Sequence, residues 1–223
     1  METCNKITKK IVAWKINKIE VKTDKSLPST SDIENRPSEI LASLAPKRPK
    51  ELICDIKKAK VNGEAWTIFV GLFEGKPYEI FGGLSKYVDI PNKYKYGRIT
   101  KNGKNEEGNT SYNLSIGEGD DQMIIHDIAN VFENKNYGSF TRTISLSLRH
   151  GIPIQFIVEQ LQKDKFSEMT SFSKVLARVL KTYIKDGVKS NSEKKCPDCG
   201  SENTLIYQEG CLRCVSCNMS KCG

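Results

Sequence analysis

The chain has 223 residues, 28% charged and 38% hydrophobic, with a net charge of +8 at pH 7. That length suits one substantial domain with a small appendage. No run approaches the roughly 20 apolar residues of a membrane span, and Met1-Glu2-Thr3-Cys4-Asn5-Lys6 lacks an apolar signal core, so a membrane or secreted protein is not expected. The positive charge permits an acidic partner such as nucleic acid, but the lysines are dispersed, and a solvated surface is the simpler reading.

Three regions follow in chain order: residues 1–50 as an N-terminal arm and linker, 51–187 as an α+β domain, and 188–223 as a polar tether leading to a cysteine-rich module. Ile19-Glu20-Val21 alternates like a strand. Residues 24–50 are rich in Ser, Pro, Lys and Glu, the composition of a linker, with a short helix expected at about 37–44 behind Pro37. From Leu52 the signals become those of a meander. Asn62-Gly63 predicts a hairpin turn, Trp66 to Leu72 is aromatic and β-branched, and Glu74-Gly75 turns the chain into Pro77 to Phe81. Tyr94–Lys104 and Ser111–Ile116 supply two further strands.

Helices are expected from about residue 120. Asp120-Asp121 reads as an N-terminal cap for a helix over 122–132, with apolar residues at 124, 125, 128, 131 and 132. Further helices are expected over 138–150, stopped by Gly151, over 153–162, and over 172–184 behind Thr170-Ser171. Strands first and helices afterwards indicate α+β, a small antiparallel sheet followed by a helical half. His126 and His150 are the only histidines. Their positions fit packing and a helix end better than catalysis, and no Ser–His–Asp or Cys–His constellation emerges.

The densest chemistry lies in the last 28 residues, which hold six of the eight cysteines. Cys196-Pro-Asp-Cys199-Gly200 and Cys214-Val-Ser-Cys217-Asn218 are two C-x2-C knuckles, the ligand spacing of a structural Zn2+ site. Gly200 and Asn218 both tolerate the left-handed backbone that such turns use. The favoured quartet is Cys196, Cys199, Cys214 and Cys217; a second quartet exchanges Cys217 for Cys211. With the first, Cys211 and Cys222 are left over. A thiol one residue from the terminus, beside Lys221, suits thiol–disulfide exchange on a mobile tail. Clustered cysteines in a chain without a leader point to a reducing, cytoplasmic setting, cellular or viral within a host cell. Cys54, in a strand context, reads as a small buried hydrophobe.

Several stretches resemble the C-terminal region of adenosylcobalamin-dependent (class II) ribonucleotide reductases. They are residues 45–56 (Ala-Pro-Lys-Arg-Pro-Lys-Glu-Leu-Ile-Cys-Asp-Ile), 63–72, 75–83, 144–153 and 157–161, together with the cysteine-rich ending from Tyr207. Thr170-Ser171 stands where the family's accessory domain often reads Thr-Ser-Cys-Pro-Asp, the TSCPD motif; Phe172 and Ser173 replace its Cys and Pro. The second knuckle continues Asn218-Met219 where Gly-Tyr is usual.

The resemblance implies a TSCPD-like accessory domain and a zinc ribbon. It also implies that Cys211 and Cys222 form the redox pair that re-reduces an active-site disulfide and is itself reduced by thioredoxin or glutaredoxin. The family's catalytic barrel, with its adenosylcobalamin, is longer than anything this chain can hold. The expectation is therefore a separately encoded subunit serving a barrel partner in the reduction of ribonucleoside diphosphates, with structural zinc here and cobalamin only in that partner. The alternative is a non-catalytic zinc-ribbon module reused for nucleic-acid or protein recognition.

Overall fold

The computed structural model describes residues 45–132, 135–163, 168–191 and 193–222. The strand at 19–21, the helix at 37–44 and Cys4 lie outside them.

Six strands form one antiparallel sheet: β1 (Glu51–Val61), β2 (Glu64–Phe73), β3 (Lys76–Leu84), β4 (Tyr96–Lys104), β5 (Thr110–Ile116) and β6 (Met123–Ile125), in the order β3-β2-β1-β4-β5-β6. Asn62 and Gly63 have φ of 49° and 86°, and Glu74 and Gly75 have 51° and 73°. Two consecutive left-handed residues make the tight turn that matches strand twist, which fixes the β1–β2 and β2–β3 registers. Three helices follow: α1 (Lys135–Arg149), α2 (Ile154–Gln162) and α3 (Phe172–Lys181). A second antiparallel sheet holds β7 (Leu205–Gln208), β8 (Cys211–Cys214) and β9 (Ser220–Lys221). The α+β expectation agrees with this architecture.

The main sheet is covered on both faces, so β2 is buried along most of its length. One face, with Trp66, Ile68, Val70 and Ile80, packs against Ile144 and Leu148 of α1, Val158 and Leu161 of α2, and Leu176 and Leu180 of α3. Leu205, Tyr207 and Leu212 of the small sheet join the same core, as do Cys196 and Cys214. On the other face, Cys54, Phe69, Ile99 and Leu114 meet Val88, Ile90 and Ile128 from connecting segments. Edge strand β3 is shielded by α1, where Ser145 Oγ accepts a hydrogen bond from the Ile80 amide at 2.9 Å.

Residues 122–132 are not the expected helix. Met123–Ile125 pairs with Leu114–Ile116 as strand β6. Asp127 then takes φ 47°, and the Ile128 amide donates to the Tyr112 carbonyl at 2.8 Å. A short apolar run fits either period, and here pairing with the open edge of β5 prevails; Ile125, Ile128, Val131 and Phe132 still reach the core. Asp120 and Asp121 lie in a 3-10 turn rather than capping an α-helix.

Two further features lie beyond local sequence patterns. Residues 187–190 run along β7: Gly187 and Ser190 amides donate to Tyr207 and Leu205 carbonyls, and the Tyr207 amide donates to Val188. The segment expected as a free tether thus bonds to the ribbon's outer strand. Within the linker, Arg48 donates to the fully buried Glu79 carboxylate through Nε at 2.8 Å and Nη2 at 2.6 Å, and Arg149 of α1 adds a third bond at 3.1 Å. Gly71, opposite Glu79 in the β2–β3 register, leaves the space; a Cβ there would lie 2.7 Å from Glu79 Cγ.

Candidate metal centre and cysteine pair

The ribbon is built from its two knuckles. After Cys199, Gly200 adopts φ 71° and its amide donates to the Cys196 carbonyl at 2.9 Å. After Cys217, Asn218 adopts φ 60° and its amide donates to the Cys214 carbonyl at 3.0 Å. The two turns are equivalent, and left-handed Gly and Asn close both. β7 and β8 are joined by a third left-handed pair, Glu209-Gly210, which sets the knuckles face to face.

The Sγ atoms of Cys196, Cys199, Cys214 and Cys217 all lie within 4.8 Å of one another. Cys196 and Cys217 are 3.6 Å apart, and Cys199 and Cys214 are 3.8 Å apart. A tetrahedron with Zn–S bonds of about 2.3 Å has sulfur–sulfur edges of about 3.8 Å, so four thiolates here suit a tetrahedral metal. Cys196 and Cys214 face the domain core and are buried, while Cys199 and Cys217 are exposed. Neighbouring hydroxyls help two of the thiolates form. The Thr204 hydroxyl, 3.2 Å from Cys214 Sγ, draws that thiol down to about 6, and Ser201 lowers Cys199. Thr204 and Ser201 were not singled out in the sequence; their place between the knuckles was the available signal.

Cys211 and Cys222 stand outside this quartet and are joined as a disulfide, with Cα atoms 4.5 Å apart. The β8–β9 register, Leu212 opposite Lys221, makes them cross-strand neighbours. Cys211 is half-buried and Cys222 is exposed. In the oxidised form the terminal cysteine is thus held against β8 at the ribbon's surface, where the sequence suggested a loose tail. The second quartet, with Cys211 as a ligand, does not assemble.

The remaining candidates are dispersed. His126 is exposed in the loop after β6, with Nδ1 3.3 Å from the Asn113 amide nitrogen. His150 lies just beyond α1. Cys54 is fully buried between Gly71 and Gly97 on the neighbouring strands, and burial pushes its thiol up to about 12. Ser171 precedes α3 without a side-chain cap bond. Among the described residues no helix is long and apolar enough to cross a membrane.

The family model for the NrdJ homologue C-terminal domain matches residues 52–185. The chain belongs to this family. Its α+β domain is therefore related to the C-terminal region of class II ribonucleotide reductase, in agreement with the resemblance carried by residues 45–56, 63–72, 75–83, 144–153 and 157–161. The match spans the main sheet and all three helices described above and stops before the first knuckle. No curated protein and no solved structure matches the chain.

Proposed function

We propose that this chain is the C-terminal electron-relay subunit of a class II ribonucleotide reductase, acting on a catalytic barrel carried by another polypeptide. The observation that carries the proposal is the Cys211–Cys222 disulfide, set apart from a complete four-cysteine cluster on a domain of the NrdJ homologue family. Zn2+ held by Cys196, Cys199, Cys214 and Cys217 would fix the knuckles and keep those thiolates out of exchange. That division leaves one dithiol free to cycle.

In the reduced pair the exposed Cys222, beside Lys221, is the attacking thiolate. It attacks one sulfur of the barrel's disulfide and expels the other as a thiolate. Cys211 then attacks the Cys222 sulfur, closing the 211–222 bond and releasing the barrel as a dithiol. Two electrons and two protons have moved to the active centre, and the ribbon is in the oxidised form seen here. A dithiol protein of the thioredoxin or glutaredoxin class returns two electrons and two protons by the same steps in reverse. Ribonucleoside diphosphate reduction, with adenosylcobalamin, belongs to the barrel.

Trapping tests this scheme. The oxidised wild-type chain, mixed with a reduced thioredoxin lacking its resolving cysteine, is expected to form a dithiothreitol-labile conjugate at Cys222 as the Cys211 thiolate is expelled, whereas the Cys211→Ser and Cys222→Ser chains, which have no 211–222 disulfide to attack, are expected to form none. Conjugation through the four-cysteine cluster alone, or no conjugate in any form, refutes the relay.

A further inference from the structure

Beside the disulfide, α3 and the ribbon enclose a cleft of about 260 Å3. Its walls are Lys174, Arg178 and Lys181 of α3, Lys221 of β9, and Glu193, over a floor that includes Tyr207 and Leu212. Four cations face one carboxylate. Lys221 is paired with Glu193 at 3.2 Å. Lys174 and Arg178 donate to the Gln162 and Met169 carbonyls at 2.6 and 2.8 Å, contacts that orient them without cancelling their charge.

Lys181 stands apart. It is only 6% exposed, yet among the described residues its side-chain amine makes neither an ion pair nor a hydrogen bond. It is buried because the Glu209-Gly210 turn folds onto the end of α3, with Gly210 against the backbone of Lys181 and Thr182. Burial, then the charge of Lys221, pulls its amine below the usual lysine range. The carbonyl end of α3 favours a cation there, but by less than about 1 kcal/mol at an ordinary helix end. Glu193, on the same cleft, offsets only part of the repulsion that Lys181 meets from Lys221 and Arg178. With one carboxylate shared among four cations, the cleft has positive charge left for a further anionic partner.

We propose that this cleft binds the phosphoryl group of a small phosphorylated solute, with Lys181 and Arg178 as its principal ligands and Lys221 at its lip. Fixed cations around a partly dry pocket suit a compact oxyanion with several acceptor oxygens, because charge-assisted bonds gain most where water is excluded. Tyr207 and Leu212 give the rest of such a molecule an apolar surface. The inference is independent of the electron relay, since it requires neither cysteine to cycle.

Isothermal titration of the full, metal-loaded chain with inorganic pyrophosphate, at fixed ionic strength, tests it. One saturable site per chain is expected, weakened about tenfold or more by Lys181→Met and by Arg178→Gln, the loss of one charge-assisted bond in each. Lys221→Gln should weaken it less, and Lys76→Gln, on the remote β2–β3 turn, not at all. Lys181→Met also removes one of four crowded cations, so its melting temperature without ligand should stay close to that of the wild type while protection by pyrophosphate disappears. Absence of saturable binding to the wild type overturns the proposal. Undiminished binding to folded Lys181→Met and Arg178→Gln chains, or equal binding of chloride at matched ionic strength, does so too.

Discussion

Replacing Glu79 by glutamine keeps the shape of the side chain and removes its charge. The carboxylate is fully buried and receives three bonds, two from Arg48 and one from Arg149, whose side chains are 6% and 28% exposed. Removing one partner of a buried ion pair leaves the other uncompensated, at about 3–5 kcal/mol. Arg149 is partly solvated and recovers some of that in water, so the lower half of the range is expected. In a domain of this size each kcal/mol moves the melting temperature by roughly 2–4 °C, giving a fall of roughly 6–16 °C. Urea and thermal unfolding of wild type, Glu79→Gln, Arg48→Met and the double variant measure the coupling. Arg48 also lies over the Tyr112 ring and, through residues 46–50, ties the linker to the sheet, since Tyr78 donates to the Pro46 carbonyl. Arg48→Met with Glu79→Leu should therefore regain most of the loss. A Glu79→Gln chain within about 1 kcal/mol of wild type, or strictly additive variants, refutes this reasoning.

Three further outcomes are expected. Metal analysis should find one zinc per chain, lost when Cys214 or Cys196 is replaced by serine and kept in Cys211→Ser and Cys222→Ser; chelation should expose Leu205, Tyr207 and Leu212 and lower domain stability, because these side chains share the helical core. Stability should hold up to about pH 9 and fall above it: the buried Cys54 thiol and the Tyr183 hydroxyl, which donates to Asp55, both titrate higher in the folded than in the unfolded chain, so unfolding releases their protons as pH rises, and Cys54→Val should flatten the decline read by urea midpoints. Gly83→Ala should destabilise by about 1–3 kcal/mol, since a Cβ there would meet the Phe132 ring at 2.1 Å, and Phe132→Leu should relieve much of it in a denaturation series.

The parts legible in the sequence were those encoded by neighbours a few positions apart. The knuckles announced themselves through C-x2-C spacing with Gly200 and Asn218 behind each, Asn62-Gly63 marked its hairpin, and the stripe at 172, 175, 176 and 180 marked α3. Residues 122–132 misled because their apolar spacing satisfied a helix while β5 offered an unpaired edge, which no local pattern reveals. Glu79 gave no signal, since its partners are 31 and 70 positions away. Lys181 resembled a solvated residue beside the apolar stripe; only the ribbon folding back over α3 buries it. The β8–β9 pairing that holds Cys222 was hidden for a related reason: β9 has two residues, too few for any periodicity.

The relay claim is tested most directly by counting deoxyribonucleotides formed per barrel subunit, with thioredoxin, thioredoxin reductase and NADPH as the sole reductant. With the wild-type chain the account predicts sustained turnover, and with Cys222→Ser or Cys211→Ser a halt after the electrons preloaded in the barrel are spent. Equal sustained synthesis with the serine variants, their zinc retained, would contradict it.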